Sequence, residues 1–251
     1  MQLLNAELKA KFDRDGYAFL PAWLNADELQ KIKGEVDRFL RDGVPSLPPG
    51  AAVREIKDRP ETLKLVPLPV TGDTFFNELR SQGKFRELAD LTLGRPSVTQ
   101  ALTWMNKPAE VGADTPPHQD GYYYMLEPTE AVAMWLALDD ADEANGCMRY
   151  IPGSHLRGMR KHGRSGTLGF SQGITDYSDA DRSAEVAIPA RPGDLIVHHC
   201  LTIHRADANH SQRQRPAIQL VYFSDRAKED VERKAAYQAK LKADLAKSGR
   251  I

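Results

Sequence analysis

Arg191-Pro-Gly-Asp-Leu-Ile-Val-His-His-Cys200-Leu-Thr-Ile-His204-Arg-Ala-Asp-Ala-Asn209-His-Ser-Gln-Arg-Gln-Arg215-Pro-Ala217-Ile-Gln-Leu-Val-Tyr-Phe223 is the stretch whose reading decides the fold. Two short apolar runs, 194–199 and 217–223, flank a polar connection, which is the texture of strands joined by a loop. Working outward, runs of the same kind occur at 98–104, 131–138 and 185–188, each bounded by turn residues. Five such runs after Pro96 predict a sandwich or barrel.

The first part of the chain reads differently. Asn25-Ala-Asp-Glu28 has the form of a capping box, with Leu24 and Leu29 placed as a hydrophobic staple. Behind it Leu29, Ile32, Val36, Phe39 and Leu40 share one helical face. Prolines 48, 49, 60, 67 and 69 predict an irregular connection over 43–69, and 73–93 reads as two short helices. The expected organisation is one domain over 1–251: a mostly helical scaffold over 1–95, a β core over 96–225 and a C-terminal helix over 226–251. That tail carries Val231, Leu241 and Leu245 without sustained heptads, so a solvated helix is preferred to a dimerising coil.

Composition narrows the function classes. The 251 residues are 41% hydrophobic and 27% charged with a formal net charge of -1, values of an ordinary globular protein. There is no basic stripe for nucleic acid and no polybasic membrane patch. No apolar run long enough for a membrane span or a signal peptide is present, so a cytoplasmic protein is expected. Cys147 and Cys200 are too few for a cysteine-rich zinc site or a disulfide framework, and both read as small buried apolar residues. Any metal must be held by His and carboxylates.

In Thr115-Pro-Pro-His118-Gln-Asp120-Gly121 an imidazole and a carboxylate stand two residues apart, and on an extended segment both would point to one face. A third ligand would come from the opening stretch, where His198, His199 and His204 compete. Two His and one carboxylate on one side of an ion suit non-haem Fe(II) and leave positions open for a co-substrate and O2. Arg215 adds a rigid fork of donors able to grip a distal carboxylate while the 2-oxo acid end of the same molecule reaches the iron.

Four ordered motifs resemble the phytanoyl-CoA dioxygenase family of Fe(II)/2-oxoglutarate-dependent oxygenases. They are Phe12-Asp-Arg-Asp-Gly16-Tyr17 with Leu20-Pro21; His118-Gln-Asp120; Asn145-Gly-Cys-Met-Arg-Tyr-Ile-Pro-Gly-Ser-His155; and Pro192-Gly-Asp194, His204, Asn209, Ser211 and Arg215 in the family's order. The resemblance implies a double-stranded β-helix, that is, a cupin-like jelly roll. It assigns His118, Asp120 and His204 as iron ligands and Arg215 as the 2-oxoglutarate anchor, with Ser211 and Trp135 near the co-substrate. Lys107, at the end of the strand containing Trp104, is expected to add positive charge there. His198 and His199 are then left with structural or supporting roles, and His155 with a turn. Because Asp120 occupies the position that related halogenases fill with a small residue, hydroxylation or a kindred oxidation is implied, with O2 consumed and succinate and CO2 released.

Three expectations complete the reading. The partner is a small organic molecule, with the chain as monomer or homodimer, and Tyr122, Tyr123 and Tyr124 are candidates for an aromatic wall. Segment 157–183, with five glycines and neither helical nor strand periodicity, is expected to be a mobile lid. The rival functions are a non-catalytic jelly-roll binding module and a cupin-like metalloenzyme that is not an oxygenase.

Overall fold

The computed structural model describes residues 2–247. Its strands in chain order are β1 (Tyr17–Leu20), β2 (Val53–Arg54), β3 (Leu63–Pro67), β4 (Ser97–Met105), β5 (Thr115–His118), β6 (Leu126–Glu127), β7 (Ala131–Ala137), β8 (Met148–Tyr150), β9 (His162–Thr167), β10 (Phe170–Ile174), β11 (Val186–Ile188), β12 (Leu195–His199), β13 (His204–Ala206), β14 (Ala217–Ser224) and β15 (Lys228–Glu229). The α-helices are α1 (Gln2–Asp15), α2 (Ala26–Arg38), α3 (Thr74–Ser81), α4 (Gly83–Leu93), α5 (Gly121–Tyr124), α6 (Asp179–Ser183) and α7 (Val231–Lys247).

A seven-stranded sheet in the order β1-β12-β7-β14-β4-β3-β2 faces a four-stranded sheet in the order β11-β8-β13-β5, and all their pairings are antiparallel. This is the jelly-roll arrangement of a mainly β protein with flanking helices. Strand β7 is buried along its whole length because both of its faces are covered. Val132, Met134 and Leu136 face the helical layer, where they meet Ile32, Val36, Phe76, Phe85 and Leu88. Trp135 and Ala137 face the smaller sheet and pack with Met148, Tyr150, Ile196 and Ala206. The period of two along each strand therefore divides the apolar residues between two cores.

The capping box at Asn25 forms as its sequence predicts, with Glu28 N donating to Asn25 Oδ1 at 2.9 Å and Asn25 N to Glu28 Oε2 at 3.0 Å. The two helices over 73–93 and the five strand runs are also present. Within 1–95 the helices are accompanied by β1, β2 and β3, which join the large sheet. Two readings need correction. Strands β2 and β3 lie inside the stretch 43–69 read as irregular. Segment 157–183 is not shapeless: β9 and β10 form a hairpin, followed by α6 with its own capping box from Ser178 to Asp181. The C-terminal helix runs to Lys247; the Leu245 side chain and residues 248–251 lie outside the description. No described helix is long and apolar enough to cross a membrane.

Candidate metal centre and co-substrate pocket

His118 ends β5, where Pro116 and Pro117 hold the chain extended. The strand stops there. Asp120 has helical dihedrals (φ -56°, ψ -34°) and its carbonyl accepts from Tyr123 N at 2.9 Å, so it opens α5 instead of continuing the strand. The expected common extended face is thus replaced by a turn that folds the carboxylate back, leaving His118 Nε2 3.4 Å from Asp120 Oδ1. His204 arrives from the adjacent strand, in direct register with His118 on one side and Tyr150 on the other. Its Nε2 lies 3.8 Å from Asp120 Oδ1.

One potential donor atom from each of His118, Asp120 and His204 falls within 4.8 Å of the others, and all three residues are buried. Backbone carbonyls fix both imidazoles: His118 Nδ1 sits 2.8 Å from Pro116 O and His204 Nδ1 2.9 Å from Thr202 O. An oxygen acceptor at Nδ1 places the proton there, so each Nε2 presents a lone pair to the common point. Burial, then the neighbouring imidazoles of His118 and His198, push His204 well below the usual histidine range, towards the neutral form that ligates. Burial opposes ionisation of Asp120, but the surrounding imidazoles outweigh it and hold the carboxyl well below its ordinary value. The donor set fits a divalent ion of the Fe(II) type with several coordination positions left open.

Beside the three lies a cleft lined among others by Lys107, Trp135, Met148, Phe170 and Arg215. Arg215 is 4% exposed, and its Nε and Nη1 are buried without a hydrogen-bond partner. Its guanidinium carbon stands 5.1 Å from the centroid of the Trp135 ring. Lys107 pairs with Arg215 through reciprocal backbone hydrogen bonds of 3.1 and 3.4 Å, and Lys107 Nζ donates to Ala113 O at 2.5 Å. Burial, then the charge of Arg215, lowers Lys107 well below the ordinary lysine value; burial alone brings Arg215 to about 10. Two adjacent buried cations, one with idle donors, need an anion, and a dicarboxylate fits.

Ser211 is not brought to this cleft. Its hydroxyl donates to Asn209 Oδ1 at 2.8 Å, and the buried Asn209 amide in turn donates to Lys107 O and Arg213 O, which shapes the loop leading to Arg215. His199 points away as well, its Nδ1 accepting from Leu201 N at 3.1 Å. His155 makes a long-range contact instead of the expected turn contact, its Nε2 lying 3.1 Å from Asp13 O near the end of α1.

Four further side chains contribute to the site, and among them His198 takes a supporting role of the kind expected of it. His198 reaches Asp120, Lys64 enters the cleft while paired with Glu55 at 2.9 Å, and Phe170 of the hairpin lies 5.4 Å from the His118 ring. Gln119 is wholly buried and ties Gly158 O and Leu201 O together through its Nε2, at 2.9 and 2.7 Å. The alternation of β12 puts Ile196 and His198 on the inner face, whereas nothing local in the sequence marks Lys64 or Gln119. The hairpin is anchored rather than loose: Tyr123 Oη donates to Gln172 O at 2.9 Å and accepts from Gln172 N at 3.1 Å, and Tyr122 stacks on His162 at 4.5 Å.

Comparison with known proteins gives the same direction. The family model described as Phytanoyl-CoA dioxygenase (PhyH) matches residues 12–217. A phytanoyl-CoA dioxygenase of Arabidopsis thaliana is 33% identical over 151 residues, covering 59% of this chain and 52% of that protein. The peroxisomal phytanoyl-CoA dioxygenase of Mus musculus is 26% identical over 238 residues, covering 88% of this chain and 69% of that one. The alignments with the first matched curated relatives span about half of those proteins' length. Among solved structures, the epimerase SnoN in complex with Fe3+, alpha ketoglutarate and nogalamycin RO superposes with a TM-score of 0.72 at 25% identity, covering 90% of this chain and 86% of SnoN. EctD from S. alaskensis, solved with 2-oxoglutarate and 5-hydroxyectoine, shares the fold at a TM-score of 0.70 and 21% identity, covering 87% and 76% of the two chains.

Proposed function

Since this chain belongs to the phytanoyl-CoA dioxygenase family, we propose that it is an Fe(II)- and 2-oxoglutarate-dependent dioxygenase that hydroxylates, or otherwise oxidises, a small organic substrate. The observation that carries this reading is the placement of a buried two-histidine, one-carboxylate donor set beside a buried arginine with two idle nitrogens. His118, Asp120 and His204 would hold the iron, and Arg215 the distal carboxylate of 2-oxoglutarate. Bound iron with 2-oxoglutarate and O2 supplies oxidative decarboxylation to succinate and CO2, coupled to oxidation of a substrate C–H bond.

The protein's own part is placement. Trp135 supports the guanidinium plane from one side, and the loop built on Asn209 sets the reach of Arg215. Lys107 adds positive charge to the same anion subsite. Phe170 and Leu65 give the cleft an apolar wall that keeps water from the reacting carbon.

The test is O2-dependent formation of succinate from 2-oxoglutarate by Fe(II)-loaded protein, with His204→Ala as control. Succinate that requires Fe(II), O2 and His204 supports the reading. No succinate from metal-loaded protein that binds 2-oxoglutarate favours a non-catalytic binding module. Metal-dependent turnover of a substrate without O2 consumption favours a cupin-like enzyme of another class.

A further inference from the structure

The carboxylate of Asp120 has two oxygens in different surroundings. Oδ1 faces the histidine pair, at 3.4 Å from His118 Nε2 and 3.8 Å from His204 Nε2. Oδ2 is turned away and lies 3.1 Å from His198 Nε2 and 3.2 Å from the Tyr124 hydroxyl. We propose that Tyr124 and His198 are positioning residues that occupy Oδ2 and so restrict Asp120 to binding the metal through Oδ1 alone. The proposal rests on the iron-site reading above.

The contacts arise from separate elements. Tyr124 is four residues beyond Asp120 on α5, which returns its hydroxyl to the carboxylate, and its ring is braced by Phe223 at 5.2 Å. His198 comes from the inner face of β12 in the opposite sheet. Its hydrogen bond to the carboxylate has a forced direction. An ionised carboxylate only accepts, so Nε2 carries a proton on that side, and the opposite ring nitrogen, Nδ1, lies 3.1 Å from the Tyr150 hydroxyl. Tyr150 is fully buried and held by stacking on Tyr17 at 4.7 Å. Tyr150, His198 and Asp120 therefore form a hydrogen-bonded chain that ends on one oxygen.

The consequence is coordination number. A carboxylate free to rotate can chelate through both oxygens and consume a position needed by the co-substrate or O2, whereas a carboxylate whose second oxygen is engaged leaves three positions open. Loss of such supporting hydrogen bonds typically costs ~10- to 100-fold in metal affinity.

The experiment is anaerobic titration of the apoprotein with Co(II), following the visible d–d bands, for wild type, Tyr124→Phe, His198→Leu, His198→Gln and Asp120→Ala, each checked for folding by circular dichroism. Roughly tenfold weaker Co(II) binding in Tyr124→Phe and in His198→Leu, an altered band shape in their double variant, and recovery in His198→Gln, which keeps a donor, support the proposal. Wild-type affinity and spectrum in a folded Tyr124→Phe and His198→Gln as well as in His198→Leu would overturn it. Asp120→Ala separates the two levels: if it binds Co(II) as wild type does, the ligand assignment itself fails.

Discussion

Arg215 and Trp135 meet at the inner end of the cleft, the guanidinium carbon 5.1 Å from the ring centroid, and the stack leaves the Arg215 Nε and Nη1 without partners. A cation fixed in orientation before its anion arrives loses little on binding it. Arg215→Ala is expected to weaken 2-oxoglutarate binding by about 2–4 kcal/mol, the range for stranding one partner of a buried charge pair. That corresponds to roughly 30- to 1,000-fold in the dissociation constant. Arg215→Lys should recover only part of it, because an ammonium cannot make the bidentate fork. Calorimetric titration of metal-loaded protein with 2-oxoglutarate measures both.

Of the histidines in the stretch that decides the fold, only His204 joins the donor set. His204→Ala should abolish metal binding at the centre, read as bound iron per chain after desalting. His199→Ala should retain it, since His199 Nδ1 is engaged with Leu201 N. The opposite pattern would move the distal ligand to His199.

The pH dependence of stability has a definite sign at His199. Burial, then the nearby His155 and His198, brings it to about 4, below the 6.5 of an unfolded histidine. Between those values the unfolded chain binds more protons, so this contribution is complete above about pH 6.5 and is lost as the pH falls towards 4. Denaturant midpoints measured from neutral pH down to about pH 5 should fall less steeply in His199→Gln than in wild type.

Legibility in the sequence followed burial and length. The runs that became β4, β7, β12 and β14 are long and apolar because they lie in the large sheet between two cores, and they could be read directly. Strands β5, β8 and β13 carry the candidate site and were not read: they have three or four residues, Pro116 and Pro117 sit in one, and the chemistry-bearing side chains displace the apolar pattern. The β9–β10 hairpin was hidden for a different reason. Its glycines and polar residues have no local strand signal, and its shape depends on distant contacts such as Tyr123 with Gln172. Arg215 and Ser211 were both assigned through a family spacing; Arg215 lines the cleft, whereas the Ser211 hydroxyl bonds Asn209 in the loop leading to it.

Those distant contacts make the hairpin testable as a wall. Tyr123→Phe removes two hydrogen bonds to Gln172, worth about 1–3 kcal/mol together. Hydrogen exchange over 170–174 should accelerate by roughly 5- to 150-fold while the large sheet is unchanged. In wild type the same amides should be protected before any substrate is present; rapid exchange that slows only on substrate addition would make 157–183 a closing lid.

The central claim, that the His118, Asp120 and His204 centre and Arg215 act together on one 2-oxo acid, is tested most directly by anaerobic titration of Fe(II)-loaded protein with 2-oxoglutarate, followed by visible absorption. Chelation of iron by the 2-oxo acid produces a charge-transfer band, and the account predicts a saturable band with one equivalent bound per chain. It predicts no band in His204→Ala and a right-shifted titration in Arg215→Ala. Absence of the band in iron-loaded wild type, or a band whose titration is the same in Arg215→Ala, would contradict it.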